Sequence, residues 1–323
     1  MADGAYAHAE GLHSIASGVA SHAEGERANA QGSHSHAEGF YTEALGTYTH
    51  AQGYYTKALK FAAHAEGDHT VAEGSYSHAE GKESEATNDV AHAEGLKTIA
   101  SGIASHAEGD STTASGSRSH AEGLSSIASG NRSHAEGDNT IASGLYSHAE
   151  GYKTVAAGTS SHAGGWSEQK YNANTHGTTT AAIIENHKNF DATNKFLLAL
   201  GKGSHAEGIN TLALGESSHA EGQATIASGN QSHTEGLNTT ASANWSHAEG
   251  NGTKATANMS HAEGYNTTAS GVISHAEGDG TTASGSRSHA EGLQTTASGA
   301  HSHAEGNNTL ASGNYSHAGG FWT

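Results

Sequence analysis

The chain has 323 residues, with 44 Gly, no Pro, no Cys and two Met; large aliphatic side chains are too scarce for a single thick hydrophobic core, and disulfide or thiolate chemistry is excluded. The 33 acidic residues against 14 basic ones give a formal charge of −19, which argues against nucleic acid or an anionic membrane as partner, because phosphate binding relies on clustered Lys and Arg. No apolar run approaches a membrane span, and the start MADGAYAHAEG lacks the basic and apolar regions of a signal peptide, so no membrane insertion is expected.

From the first residues a repeat dominates. Histidines fall every fourteen residues from His8 to His162, and again from His205 to His317, giving 21 copies. Counted from the histidine, Gly stands at +3 and Ala at −6 in all 21, Ala at +1 in 20, Glu at +2 in 18 and Gly at −4 in 17. Positions −3, −2, +4 and +5 vary. Fourteen residues are too few for a helix-bearing repeat but suit one coil of a β-solenoid with two short strands and two tight corners. Strand alternation in SHAEG puts Ser and Ala on one side and His and Glu on the other; in TIASG it puts Thr, Ala and Gly on one side and Ile and Ser on the other. The small side is expected inside a thin roll. Glycines at −4 and +3 are expected at corners, where a positive φ or close backbone approach is needed, with Asn88 tolerated at −4 because Asn visits the left-handed region.

A roll filled with Ala, Ser, Thr and Gly buries little apolar area against the backbone entropy it must offset. The −7 column is often aliphatic, as at Ile15, Val71, Ile99, Ile127, Ile141, Val155, Leu212, Ile226 and Leu310. It is expected to project outward as an apolar stripe that identical chains cover by lateral association.

Residues 40–61 hold Phe40, Tyr41, Tyr48, Tyr54, Tyr55 and Phe61, mostly at corners. Two readings stand: a platform for sugar rings or a protein receptor, or packing among themselves or on a neighbouring chain. The first block, 1–165, ends in SHAGGW and the second, 198–323, in SHAGGF. Loss of Glu at +2 before a bulky aromatic reads as a terminal coil, its open end covered by Trp166 or by Phe321 and Trp322, which makes the blocks separate rods. Between them the 166–197 segment is out of register, since the His162 to His205 step is one residue more than three repeats. It is expected to be a connector or a binding insertion, with a possible hairpin presenting Lys188 and Phe190.

The string NTIASGLYSHAEG (139–151) resembles the head repeat of trimeric autotransporter adhesins of the YadA type, whose consensus runs roughly N-S-x-A-x-G-x-x-S-x-A-x-G. HAEG-rich versions are also similar to segments of bacteriophage tail-fibre proteins. The resemblance implies an all-β, left-handed parallel β-roll, three chains side by side as a homotrimer, and attachment at an extracellular or virion surface to a host glycan or protein receptor. A phage-type fibre is the leading expectation; an excised autotransporter head, a passive spacer and an ice-binding solenoid are the alternatives.

In such a roll each histidine stacks on that of the next coil. His22, Glu24, His106, Glu108, His134, Glu136, His148, Glu150, His219, Glu221, His289 and Glu291 are therefore read as rungs of two ladders that fix register or trimer contacts through charge-assisted hydrogen bonds. The competing reading is Zn²⁺ or Ni²⁺ binding in a few layers; no layer is singled out and no cofactor is assigned. Catalysis is not expected, because nothing supplies a nucleophile, oxyanion hole or pocket.

Overall fold

A computed structural model describes residues 1–168 and 196–323. Among these residues every regular element is a strand, and the pairing is parallel with a register of one repeat. The chain falls into two compact units, Met1–Tyr146 and Ser147–Thr323.

In the first unit, five-residue strands run from His8–Leu12 to His134–Asp138 and two-residue strands from Ile15–Ala16 to Ile141–Ala142. Each coil supplies one of each, so its HAEG strand pairs with the HAEG strand of the next coil: His8 opposite His22, Ala9 opposite Ala23, Glu10 opposite Glu24. The interior is a stack of small side chains. Ala23 and Ala37 at +1 and Ala30 and Ala44 at −6 are fully buried, as are Thr42, Thr56, Thr70 and Thr98 at −8. The repeat tolerates little variation at these positions because two runs of backbone pass close together and leave room mainly for small side chains.

Side-chain hydroxyls tie the corners. Ser133 Oγ donates to the Gly130 carbonyl at 2.7 Å, and Ser21, Ser77, Ser105 and Ser119 repeat the bond at 2.7–2.8 Å. At the other corner Thr70 and Thr112 donate to the carbonyls of Glu66 and Glu108. These are local bonds that satisfy turn carbonyls with no long-range partner needed.

The glycines divide into two kinds. At +3, φ lies between +95° and +123°, and a Cβ on Gly123 would stand 2.2 Å from the Gly137 carbonyl oxygen. At −4 the backbone is not left-handed, and the constraint is approach alone: a Cβ on Gly130 would stand 2.0 Å from the Gly144 oxygen. The expectation for Asn88 is corrected accordingly. Its corner is left-handed not at Asn88 but two residues on, at Val90 (φ 59°). Positive φ recurs at −2 and +5 of nearly every coil, on residues as large as Tyr48, Arg132, Trp245 and Ile273.

For β-branched residues that conformation is costly. Ile273 (φ 59°) is also substantially exposed, so little packing is at stake. Replacing Ile273 with Asn is expected to stabilise the chain by about 1 kcal/mol, read as a raised midpoint in thermal or urea unfolding; an unchanged or lower midpoint would mean that its side chain makes contacts worth the strain.

In the second unit the repeat continues through the irregular segment. Strand His162–Trp166 pairs with His205–Ile209, and Thr154–Ala156 pairs with Leu197–Ala199, which in turn pairs with Leu212–Ala213. The 43-residue step from His162 to His205 is thus one coil of 14 residues with 29 further residues of sequence between Ser167 and Leu197. Leu197 takes the interior place that Thr holds elsewhere, and Leu198 the −7 place; both are fully buried. The separate-rod expectation therefore fails at this point. Trp166 belongs to an internal coil, opposite Ile209, and covers no open end. Strands then run to His317–Phe321. No helix of the described residues is long and apolar enough to cross a membrane.

Candidate functional site

The outward side of the HAEG strands carries the histidine column, present in every copy, and the glutamate column, present in 18 of 21. Stacked imidazoles stand 4.6–4.9 Å apart from His50 to His134 and from His205 to His317, mostly within 15° of parallel. That spacing is the strand spacing itself, so the ladder follows from register alone. His106, His134, His219 and His289 of the expected set are rungs of it, and His22 and His148 sit where rings turn, with His22 at 67° to His36 and His148 at 30° to His162.

Each Nε2 faces carboxylates. His22 lies 3.6 Å from Glu24, His106 3.9 Å from Glu108, His134 3.9 Å from Glu136 and 3.5 Å from Glu122, His219 3.5 Å from Glu221, and His289 3.5 Å from Glu277. These are loose pairs rather than close hydrogen bonds, whereas His275, His303 and His317 in the same column hydrogen-bond Glu263, Glu291 and Glu305 at 3.1–3.2 Å.

Burial, followed by the charge of the neighbouring imidazole, lowers the pKa of His50, His64, His78, His106, His247 and His261 below the usual 6.5. Along the carboxylate column protons are shared. Glu94 and Glu122 are both raised to about 7, chiefly by hydrogen bonding to Glu108, which is lowered in return. In their protonated forms Glu94 and Glu122 can each donate to an ionised Glu108 between them.

At the irregular segment the pattern breaks. Gly164 and not Glu stands at +2, and His162 rotates: its Nδ1 lies 3.0 Å from His205 Nε2 and its Nε2 3.3 Å from Glu150.

The −7 column is not a uniformly outward apolar stripe. Ile15, Ile99 and Leu310 are 41%, 37% and 55% exposed and Ile127 is half-buried, but Ile141, Val155, Leu212 and Ile226 are buried. The buried members lie in the coils flanking the irregular segment in sequence, and the column also carries Asn29, Glu43, Lys57 and Glu85. The apolar stripe is therefore interrupted by polar and charged copies and by the buried ones.

The aromatic group is brought together. Phe40 stacks on Tyr54 at 5.1 Å and Tyr41 on Tyr55 at 4.8 Å, with Arg27 over Tyr41 at 4.7 Å and His69 under Tyr55 at 5.0 Å. These rings spend their faces on one another and present edges and hydroxyls outward. Tyr48 and Phe61 lie on the opposite corner, edge-to-face at 5.6 Å, with Tyr76 next along at 5.3 Å from Phe61. Phe321 and Trp322 occupy the +4 and +5 corner positions of the last coil, largely exposed, rather than folding over its end. Lys188 and Phe190 lie outside the described residues.

Sequence reasoning passed over the −2 corner. Tyr6, Tyr48, Tyr76, Tyr146, Trp245 and Tyr315 stand there, each more than half exposed and left-handed. The signal was present: in a chain with few large side chains, many of them fall at a position otherwise free to vary.

A family model for the YadA head domain repeat matches residues 9–30, 93–119, 121–147, 198–218, 220–242, 262–288 and 290–316, more than half of the chain. No curated protein matches it.

Proposed function

Because the chain belongs to the YadA head domain repeat family, we propose that it is a non-enzymatic attachment head, a side-by-side homotrimer displayed at an extracellular or virion surface as part of a phage-type fibre or a cell-surface adhesin. The observation that carries this is the pairing of a nearly invariant interior with strained, exposed corners. The coil interior is Ala, Ser and Thr in nearly every coil, whereas the −2 corner holds Tyr48, Tyr76, Trp245 and their like in a conformation that costs energy and leaves them in solvent. Strain kept at exposed bulky residues fits a contact surface. Weak contacts repeated from coil to coil gain avidity by multivalency.

An ice-binding face fits less well, since the −8 threonines that would have to match ice are buried. Sedimentation equilibrium of the full chain with EDTA present is expected to give a trimer of the 32.6 kDa chain; a monomer overturns the proposal. Glycan-array and envelope-binding assays then separate attachment from spacing. Binding lost in a Tyr48→Ala/Phe61→Ala/Tyr76→Ala variant that remains trimeric supports a receptor surface, and no binding by the native trimer leaves the spacer.

A further inference from the structure

The two outward columns bring two imidazoles and a carboxylate together coil after coil. His36, Glu38 and His50 offer three donor atoms within 4.8 Å of one another, as do His92, Glu94 and His106, then His106, Glu108 and His120, and His247, Glu249 and His261. The Nε2 atoms of all these histidines are buried and have no hydrogen-bond partner. The nearest carboxylate oxygen stands 3.6 Å from His92 and His247 and 3.9 Å from His106. That is too far for a hydrogen bond but close to the roughly 3.4 Å separating two ligands of a tetrahedral ion with bonds of about 2.1 Å.

Parallel rings do not aim their lone pairs at one point, so an ion between coils needs a ring to turn. The ladder permits it: His22 and His36 lie at 67° and His162 and His205 at 55° within the same column, and the terminal torsion of histidine is soft.

We propose that the His–Glu column is a linear array of sites for borderline divalent transition metals, of the Zn²⁺, Ni²⁺ and Cu²⁺ class. Each ion takes Nε2 of one histidine, the carboxylate two residues on and Nε2 of the next coil's histidine, with water completing the shell. Nitrogen-rich donor sets favour these ions over Mg²⁺ or Ca²⁺. Consecutive sets share an imidazole, as His106 is shared, so filling one empties the next and caps occupancy at one ion per two coils. Neighbouring ions then stand about 9.6 Å apart, twice the strand spacing, where salt screens their repulsion. Every donor of a set belongs to one chain, so the proposal does not rest on the trimer.

The test is equilibrium dialysis of the metal-free full chain against Ni²⁺, Cu²⁺ and Mg²⁺, with bound ions counted by native mass spectrometry. Several Ni²⁺ or Cu²⁺ per chain are expected, not exceeding one per two coils, with no Mg²⁺ retained and Cu²⁺ spectra showing two nitrogens per ion. No retained transition metal, one ion per histidine, or single-nitrogen spectra would overturn it. A Glu94→Gln/Glu108→Gln/Glu122→Gln variant introduces the residue that the chain already carries at this position in Gln52. It is expected to lose ions while keeping its circular dichroism; an unchanged count would remove the carboxylate from the site. Oligomeric state in EDTA reads the trimer separately.

Discussion

Gly123→Ala is expected to destabilise the chain by about 3 kcal/mol or more, and Gly130→Ala by distinctly less, about 1–2 kcal/mol. Both positions put a new Cβ against the next coil's carbonyl oxygen, at 2.2 and 2.0 Å, so proximity alone predicts equal damage. The backbone separates them. Gly123 has φ of 95°, a region that L-residues rarely enter, so alanine there meets strain and clash together, and relief of one does not relieve the other. At Gly130 only the approach must give. The chain itself carries that substitution at Lys60, Asn88, Ala243 and Ala257, whereas +3 is Gly in every copy. In a solenoid, stability is a sum of local and neighbour terms, so a failed coil also uncouples the stretches on either side. Urea unfolding followed by circular dichroism is expected to show a lower midpoint for both variants and loss of a single cooperative transition for Gly123→Ala. Equal shifts would mean that the left-handed φ contributes nothing and that approach alone sets the composition of the corners.

The invariance of Ala at −6 and +1 and of Gly at +3 made the coil, its interior and its 14-residue register legible, because a thin interior leaves only small residues sterically possible. The outward placement of His and Glu followed from strand alternation by the same reasoning. What was not legible lies where position does not determine geometry. Asn88 was assigned a left-handed conformation from its residue type, yet the left-handed positions are −2 and +5, where Tyr, Arg and Ile hide the signal that Gly would have given. Trp166 followed by a break in period looked like an end. Pairing resumes at Leu197–Ala199 beside Thr154–Ala156, eight residues before His205 announces the coil. Of the two readings of the aromatic group, packing among its own rings is the one that register enforces, since in-register rings one coil apart stack on each other by construction, as Tyr41 and Tyr55 do. That consequence of the 4.8 Å spacing was available from the sequence once the register was known.

The remaining large effect is acid lability. With EDTA present, stability is expected to fall steeply as pH drops below about 6.5. His36, His50, His64, His78 and His106 in one unit, and His205, His233, His247, His261 and His289 in the other, all have pKa values lowered by burial and then by the neighbouring imidazole. Their unfolded counterparts protonate first as pH falls through 6.5, so the unfolded state binds more protons and the folded state loses ground until each folded pKa is passed. Glu94 and Glu122 work in the opposite direction. Raised to about 7 from 4.5, they bind protons in the folded state first and add stability as pH falls from 7 toward 4.5. Glu249 and Glu277 are raised as well, and four such carboxyls against ten histidines still leave the histidines in control; an approach of neighbouring chains that buries the columns further would strengthen the effect. Unfolding midpoints measured from pH 7.5 to 5 are expected to give a slope corresponding to uptake of at least about three protons per chain, each about 1.4 kcal/mol per pH unit. A flat profile, or a gain on lowering pH from 7 to 6, would show that carboxyl sharing governs the ladder and that the imidazoles ionise in place, each compensated by the glutamate beside it.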